Sequence, residues 1–288
     1  MKRRIIAVLN RGGGGYKANC ESELTDIVSG TGSLEVRSVE GADLAQALNH
    51  AATSADLVIV LGGDGTISLA ASILGPAGTP MIALPGGTVN ELVHRFYGKG
   101  DWRAALCETL AEPVTIKVAG GLAGKDLFLI SAIFGMPSDW ARAREALRKG
   151  RLAKAIELTL SGLDDAAEES LAYRSGGASG EARAVAVRCV GAWSAPPREP
   201  GLEAAALNAR SLAAFVRLGA DALTGEWREN PDITMLDAAR LTLRRPGGLR
   251  AMIDGESRTL APQAEIRFVS EAVQILAPRP RATSQKTR

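Results

Sequence analysis

The stretch "ADLVIVLGGDGTISLAASIL", residues 55 to 74, decides the fold. Leu57, Val58, Ile59, Val60 and Leu61 make a short, β-branched apolar run, which predicts a strand buried on both faces. Gly62, Gly63 and Gly65 then supply positive φ and a close backbone approach that side chains would forbid. After Thr66, the apolar residues Ile67, Leu69, Ala70, Ile73 and Leu74 recur at helical spacing. A strand that turns through glycines into a helix leaves the first helical N–H groups pointing outward, which makes an anion site. By itself the stretch serves equally as a tight connection, with Asp64 capping the helix and Thr66 in its first turn.

The rest of the first 117 residues moves the balance. "RIIAVLN" reads as a strand, residues 16 to 29 as a helix, "SLEVRSV" as a strand and "ADLAQALNHAATS" as a helix. Beyond "DLVIVLGG" and "TISLAASIL" come the strand "PMIALPGG" and the helices "TVNELVHRFYG" and "WRAALCETLAE". This alternation predicts an α/β domain with a doubly wound parallel sheet, whose ligands gather beyond the carboxyl ends of its strands. Three strands end in glycine turns: Asn10 before "RGGGG", Leu61 before "GGDGT" and Leu84 before "PGGTVN". In a parallel sheet all three open on one edge, which favours a phosphate site over three independent tight turns.

After about Lys117 the pattern changes. "VTIKVAGG" and "DLFLISAIFG" read as a strand pair joined by a glycine turn, and residues 138 to 163 as a helix or helix pair that mixes Trp140 with Arg142, Arg144, Arg148, Lys149 and Arg151. "LAYRSGGASGEARAVAVRCVGAW" reads as a hairpin with a Gly/Ser tip, and residues 203 to 223 as a helix of small residues. Three strand candidates follow, "ITMLDAARLTLRR", "GLRAMIDGE" and "AEIRFVSEAVQILAP". Strands joined by turns rather than helices predict an antiparallel β-rich second domain. The expected division is 1–117, 118–278 and a basic, disordered tail, 279–288.

Composition narrows the function. A net charge of +2 and an aromatic fraction of 4% argue against nucleic acid. No run approaches the roughly 18 apolar residues of a membrane span, and "MKRRIIAVLN" is too short in apolar residues for a signal peptide. Cys20, Cys107 and Cys189 lie far apart and form no metal-ligand spacing, which suits a cytoplasmic protein with reduced thiols. With only His50 and His94, both in helical stretches, a nucleophilic triad is not expected.

"GGDGT" before a helix, "PGGTVNELVHRFYG" some way after it and "IDGES" near the end together resemble the diacylglycerol kinase catalytic-domain family, which includes bacterial soluble lipid kinases and sphingosine kinases. The resemblance implies two domains with ATP in the cleft between them, and a membrane lipid as acceptor. Gly62, Gly63, Asp64, Gly65 and Thr66 would lie against the nucleotide phosphates, with Asp64 acting through Mg2+. Gly86, Gly87, Thr88 and Asn90 match the family's Gly-Thr-x-Asn element, a second nucleotide contact. Asn10 and the glycines after it match the family's Asn-Pro-x-Ser-Gly opening, which implies Asn10 as a further nucleotide-binding residue, although Arg11 replaces the proline and the serine is missing.

Phosphoryl transfer needs a carboxylate to accept the hydroxyl proton. Asp254 and Glu256 in "MIDGES" are the candidates, since strand alternation about Gly255 would aim both to one side. The same tripeptide also suits a hairpin turn followed by a solvated glutamate; the resemblance implies the glutamate as general base and the aspartate as its support. The expected activity is an ATP-dependent lipid kinase working peripherally at a membrane surface, and a homodimer is compatible with it. Its rivals are a kinase for a soluble acceptor such as NAD and a nucleotide-binding regulator without catalysis.

Overall fold

The computed structural model describes residues 3–87, 90–135, 170–191, 199–208 and 230–279. Of these, the residues up to Val118 together with those from Glu271 onward form one compact unit, and Ala119–Ser270 form a second.

The first unit begins β1 (Arg4–Asn10), α1 (Cys20–Val28), β2 (Ser33–Val39), α2 (Asp43–Ser54), β3 (Leu57–Gly62) and α3 (Asp64–Ala77). It continues with β4 (Met81–Pro85), α4 (Glu91–Tyr97), α5 (Trp102–Ala111) and the start of β5 (Pro113–Ala123). The strands are parallel in the order β2-β1-β3-β4, with Ile5 opposite Leu57 and Val58 opposite Met81. Every residue of β3 is buried, as the apolar run predicts. Alternate side chains of β1, β3 and β4 point to opposite faces. Ile5, Leu9, Ile59, Leu61 and Leu84 meet Leu24 of α1 and Trp102 and Leu106 of α5. On the other face lie α2 and α3, burying Leu44, Leu48, Ile67 and Leu74. The doubly wound expectation therefore holds.

The second unit holds the end of β5, then β6 (Asp126–Phe128), β7 (Ser131–Phe134), β8 (Leu171–Ser175), β9 (Ala178–Ala182), β10 (Ala184–Val190) and β11 (Gly201–Leu207). After them come β12 (Ile233–Leu236), β13 (Leu241–Arg244), β14 (Leu249–Ile253), β15 (Glu256–Leu260) and the start of β16 (Gln263–Pro278). Antiparallel strands run β16-β13-β8-β9 in one sheet and β12-β11-β10-β7-β14-β15 in another. Their inner faces share one core, with Leu171, Leu241 and Ile266 from the first and Phe134, Val185, Val187 and Ile253 from the second. The expected antiparallel β-rich part is present.

Four details depart from the sequence reading. Residues 203 to 207, expected in a helix, belong to β11, because Ala204 and Ala206 alternate into the core beside β10. "DLFLISAIFG" is two strands, since β6 pairs with β5 whereas β7 pairs with β10 and β14. "ITMLDAARLTLRR" is likewise divided, by a single helical turn at Ala238–Arg240. Residues 271 to 278, assigned above to the second domain, lie in the first unit, where the end of β16 extends the parallel sheet by pairing Ile275 with Met81. The basic helix expected at 138 to 163 and the tail from residue 280 lie outside the described residues.

Candidate functional site

In the strand order β2-β1-β3-β4 the winding reverses between β1 and β3, the place where such sheets open to ligands. All three glycine turns leave that carboxyl edge, and they touch one another backbone to backbone. Gly86 N donates to Gly62 O at 2.9 Å, and Gly15 N to Gly86 O at 2.9 Å. A Cβ on Gly13 would come within 2.8 Å of Gly86 O, one on Gly86 within 2.8 Å of Gly62 N, and one on Gly87 within 2.5 Å of Gly63 Cα. Gly62, Gly63 and Gly65 do not have positive φ, contrary to the sequence reading; Gly63 sits at φ −81° and Gly65 is inside α3. Gly13, Gly15, Gly86 and Gly87 are required because each turn occupies the space where its neighbour's Cβ would stand, whereas a Cβ on Gly62 would meet the Thr66 side chain of its own turn. Positive φ falls instead on Asn90, at 53°.

Side chains tie the turns further. Asn10 Nδ2 donates to Thr66 Oγ1 at 2.8 Å, while Asn10 Oδ1 accepts from Gly12 N at 2.9 Å. Asp64 Oδ1 accepts from Leu92 N at 3.1 Å, so the carboxylate of the second turn caps the helix that follows the third. Asn90 is buried, accepting from Gly87 N and donating to Gly87 O, both at 2.8 Å. It holds the third turn closed. Thr88 lies outside the described residues.

Ser38 was missed in the sequence. Its Oγ is buried without a hydrogen-bond partner among the described residues. It stands opposite Leu9 near the end of β2, beside the contact of Arg11 N with Val39 O at 2.9 Å. The available signal was its position two residues after Val36 and four after Leu34, on the inward face of a strand that ends at the same edge.

In the second unit, Asp254 and Gly255 are the two central residues of the β14–β15 hairpin, with φ of 45° and 86° and Ile253 opposite Glu256. Such a turn needs left-handed backbone at both positions, which Asp-Gly supplies. Strand alternation therefore does not relate Asp254 to Glu256, a correction to the expected common side. Asp254 is buried: Oδ2 accepts from Leu129 N at 2.8 Å, and Oδ1 from Ile130 N at 2.8 Å and Ser131 N at 3.0 Å. These are the residues where the chain leaves β6 for β7, so the carboxylate is what divides "DLFLISAIFG". Glu256, the first residue of β15, is exposed.

Among the described residues no group of three or more His, Cys, Asp or Glu side chains is placed to hold a metal ion. Mg2+ asks for less, since it commonly binds one or two carboxylates together with substrate phosphates and water. Asp64 fits that demand, because only its Oδ1 is engaged among the described residues.

Comparison with known proteins agrees with this geometry. Residues 4–121 match the model of the diacylglycerol kinase catalytic domain. NAD kinases from two strains of Nitratidesulfovibrio vulgaris, DP4 and Hildenborough, are 36% identical over 84 residues, which span 29% of this chain and only 27% of those relatives. A Bacillus anthracis str. Sterne structure assigned as a diacylglycerol kinase aligns over 96% of this chain and 97% of its own, with TM-score 0.68 and 21% identity. A diacylglycerol kinase structure from the same organism aligns over the same shares, with TM-score 0.64 and 14% identity. At these identities the structures show the shared fold. The match over residues 4–121 agrees with the resemblance read from the motifs in the part of the chain that holds the glycine turns, and the solved structures show that the chain shares the fold of these kinases.

Proposed function

We propose that this protein is an ATP-dependent lipid kinase that transfers the terminal phosphate of ATP to a hydroxyl of diacylglycerol or a related lipid. The observation that carries the reading is the set of three glycine turns at one sheet edge, locked backbone to backbone. Phosphoryl transfer relies on positioning and charge stabilisation, and a rigid cradle of backbone groups supplies both without reorganisation.

In this reading Gly62, Gly63, Gly65 and Thr66 face the phosphates, and Gly86, Gly87, Thr88 and Asn90 form and hold the adjoining turn. Ser38 joins the nucleotide contacts, its unpaired hydroxyl being the support for that role. Asp64 would hold Mg2+, which when bound neutralises phosphate charge. Glu256, exposed on β15, accepts the proton of the acceptor hydroxyl. Asp254 is assigned a positioning role, because its oxygens already receive three backbone N–H groups. The protein works in the cytoplasm and meets its lipid at the membrane surface. Among the described residues no helix is long and apolar enough to cross a membrane.

The deciding experiment incubates the protein with labelled ATP and either extracted lipids or NAD. A labelled phospholipid is expected. The partial match to NAD kinases supports a second reading, which labelled NADP would establish in place of the first.

A further inference from the structure

The side chain of Asn10 ends in one oxygen and one nitrogen, and its neighbours fix which is which. Gly12 N–H can only donate, so at 2.9 Å it must face Oδ1. Nδ2 therefore faces Thr66 Oγ1 at 2.8 Å, and since an amide nitrogen can only donate, the threonine oxygen accepts. The hydroxyl proton of Thr66 is then left for another acceptor. A helical threonine ordinarily gives that proton to the carbonyl three or four residues back. Here those are Gly63 O and Gly62 O, and neither is hydrogen-bonded to Thr66 Oγ1 among the described residues. Thr66 is only 7% exposed, and its proton has no acceptor among the described residues.

We infer that Asn10 is a positioning residue that does not touch the nucleotide: by occupying the oxygen of Thr66 it directs that hydroxyl proton, as a hydrogen-bond donor, to a phosphate oxygen in the glycine cradle. The inference rests on the phosphate-binding reading of the turns. Thr66 is the contact and Asn10 sets its polarity. No bond is made or broken, and the gain is a donor oriented before the phosphate arrives.

The test is a double-mutant cycle read by calorimetric binding of ADP, with adenosine as a phosphate-free control. Asn10→Ala and Thr66→Val are each expected to weaken ADP binding about tenfold, the scale of one hydrogen bond to a charged group. The double variant should bind within about twofold of the weaker single variant, and adenosine should bind all of them alike within about twofold. Thr66→Ser, which keeps the hydroxyl, should bind ADP like the unaltered protein and stay sensitive to Asn10→Ala. Additive losses would mean that Asn10 touches the nucleotide itself and would overturn the inference. An equal loss of adenosine binding would reduce Asn10 to a structural tie, with the same result. Failure of the unaltered protein to bind ADP would instead remove the nucleotide reading, and this inference with it.

Discussion

Asp64 has two tasks that its place in "GGDGT" does not distinguish. One oxygen caps α4 through Leu92 N, and the other is open for the proposed metal. Asp64→Ala should therefore cost about 1 kcal/mol of stability, the worth of a cap, and also abolish phosphoryl transfer. Thermal unfolding and a labelled-ATP assay read the two effects separately, and near-full activity in the variant would refute the metal role. Glu256→Gln makes the complementary case. It preserves shape and removes the proposed proton acceptor, so turnover should fall by about 10²–10⁴ while ATP affinity holds. Retention of more than about a third of the turnover, with chemistry rate-limiting, would move the base elsewhere. Asp254 cannot be tested so simply, because Asp254→Asn also disturbs three backbone partners.

At the scale of elements, the glycine turns act on each other before they act on a ligand. Gly87→Ala would place a Cβ 2.5 Å from Gly63 Cα, whereas Gly14→Ala meets nothing within 4 Å. The first should lose about 1–3 kcal/mol of stability along with nucleotide binding, and the second neither. Gly63→Val belongs with the first, since its Cβ would lie 3.2 Å from Gly87 Cα. Equal melting temperatures for Gly87→Ala and Gly14→Ala would show that the turns are not locked. Tyr97 of α4 ties a different junction: its hydroxyl accepts from Ala83 N at 3.1 Å and donates to Leu276 O at 2.6 Å. Burial pushes its phenol above the usual tyrosine range, so the donating proton is kept at any working pH. Tyr97→Phe leaves a buried donor and acceptor unpaired and should cost about 1–3 kcal/mol by urea denaturation.

The same elements show what a sequence can and cannot disclose. The buried run of β3 and its neighbours was legible because burial on both faces writes an unbroken apolar string, and short connections impose parallel order. The carboxyl-edge cluster followed from that order alone. The contacts between turns were not legible, because nothing local to "GGDGT" says that its glycines face other glycines rather than a ligand. Nor was the break between β6 and β7, which is set by a carboxylate at Asp254, far along the chain. β11 was misread because alanine favours helices, while the neighbouring strands and the core beneath Ala204 and Ala206 override that preference.

For the whole molecule, a lipid acceptor makes activity a property of an interface. Turnover should require vesicles or micelles, and association with anionic vesicles should weaken as salt shortens the screening length. Undiminished turnover of a water-soluble alcohol without any interface would rule out the lipid reading. Removing residues 279 to 288 tests the basic tail separately, and unchanged vesicle binding would show that it adds no attraction. The return of β16 to the first unit has a consequence for manufacture. A ribosome delivers β1 to β4 early and the stretch from Ala272 to Ala277, all but absent from solvent at Ile275 and Ala277, only after the whole of the second unit. Nascent chains fold their early domains first only where those domains are contiguous. Here the unit begun first is completed only after the second unit has been made, so until that strand emerges the growing chain carries the edge of β4 uncovered, as a surface for chaperones to hold.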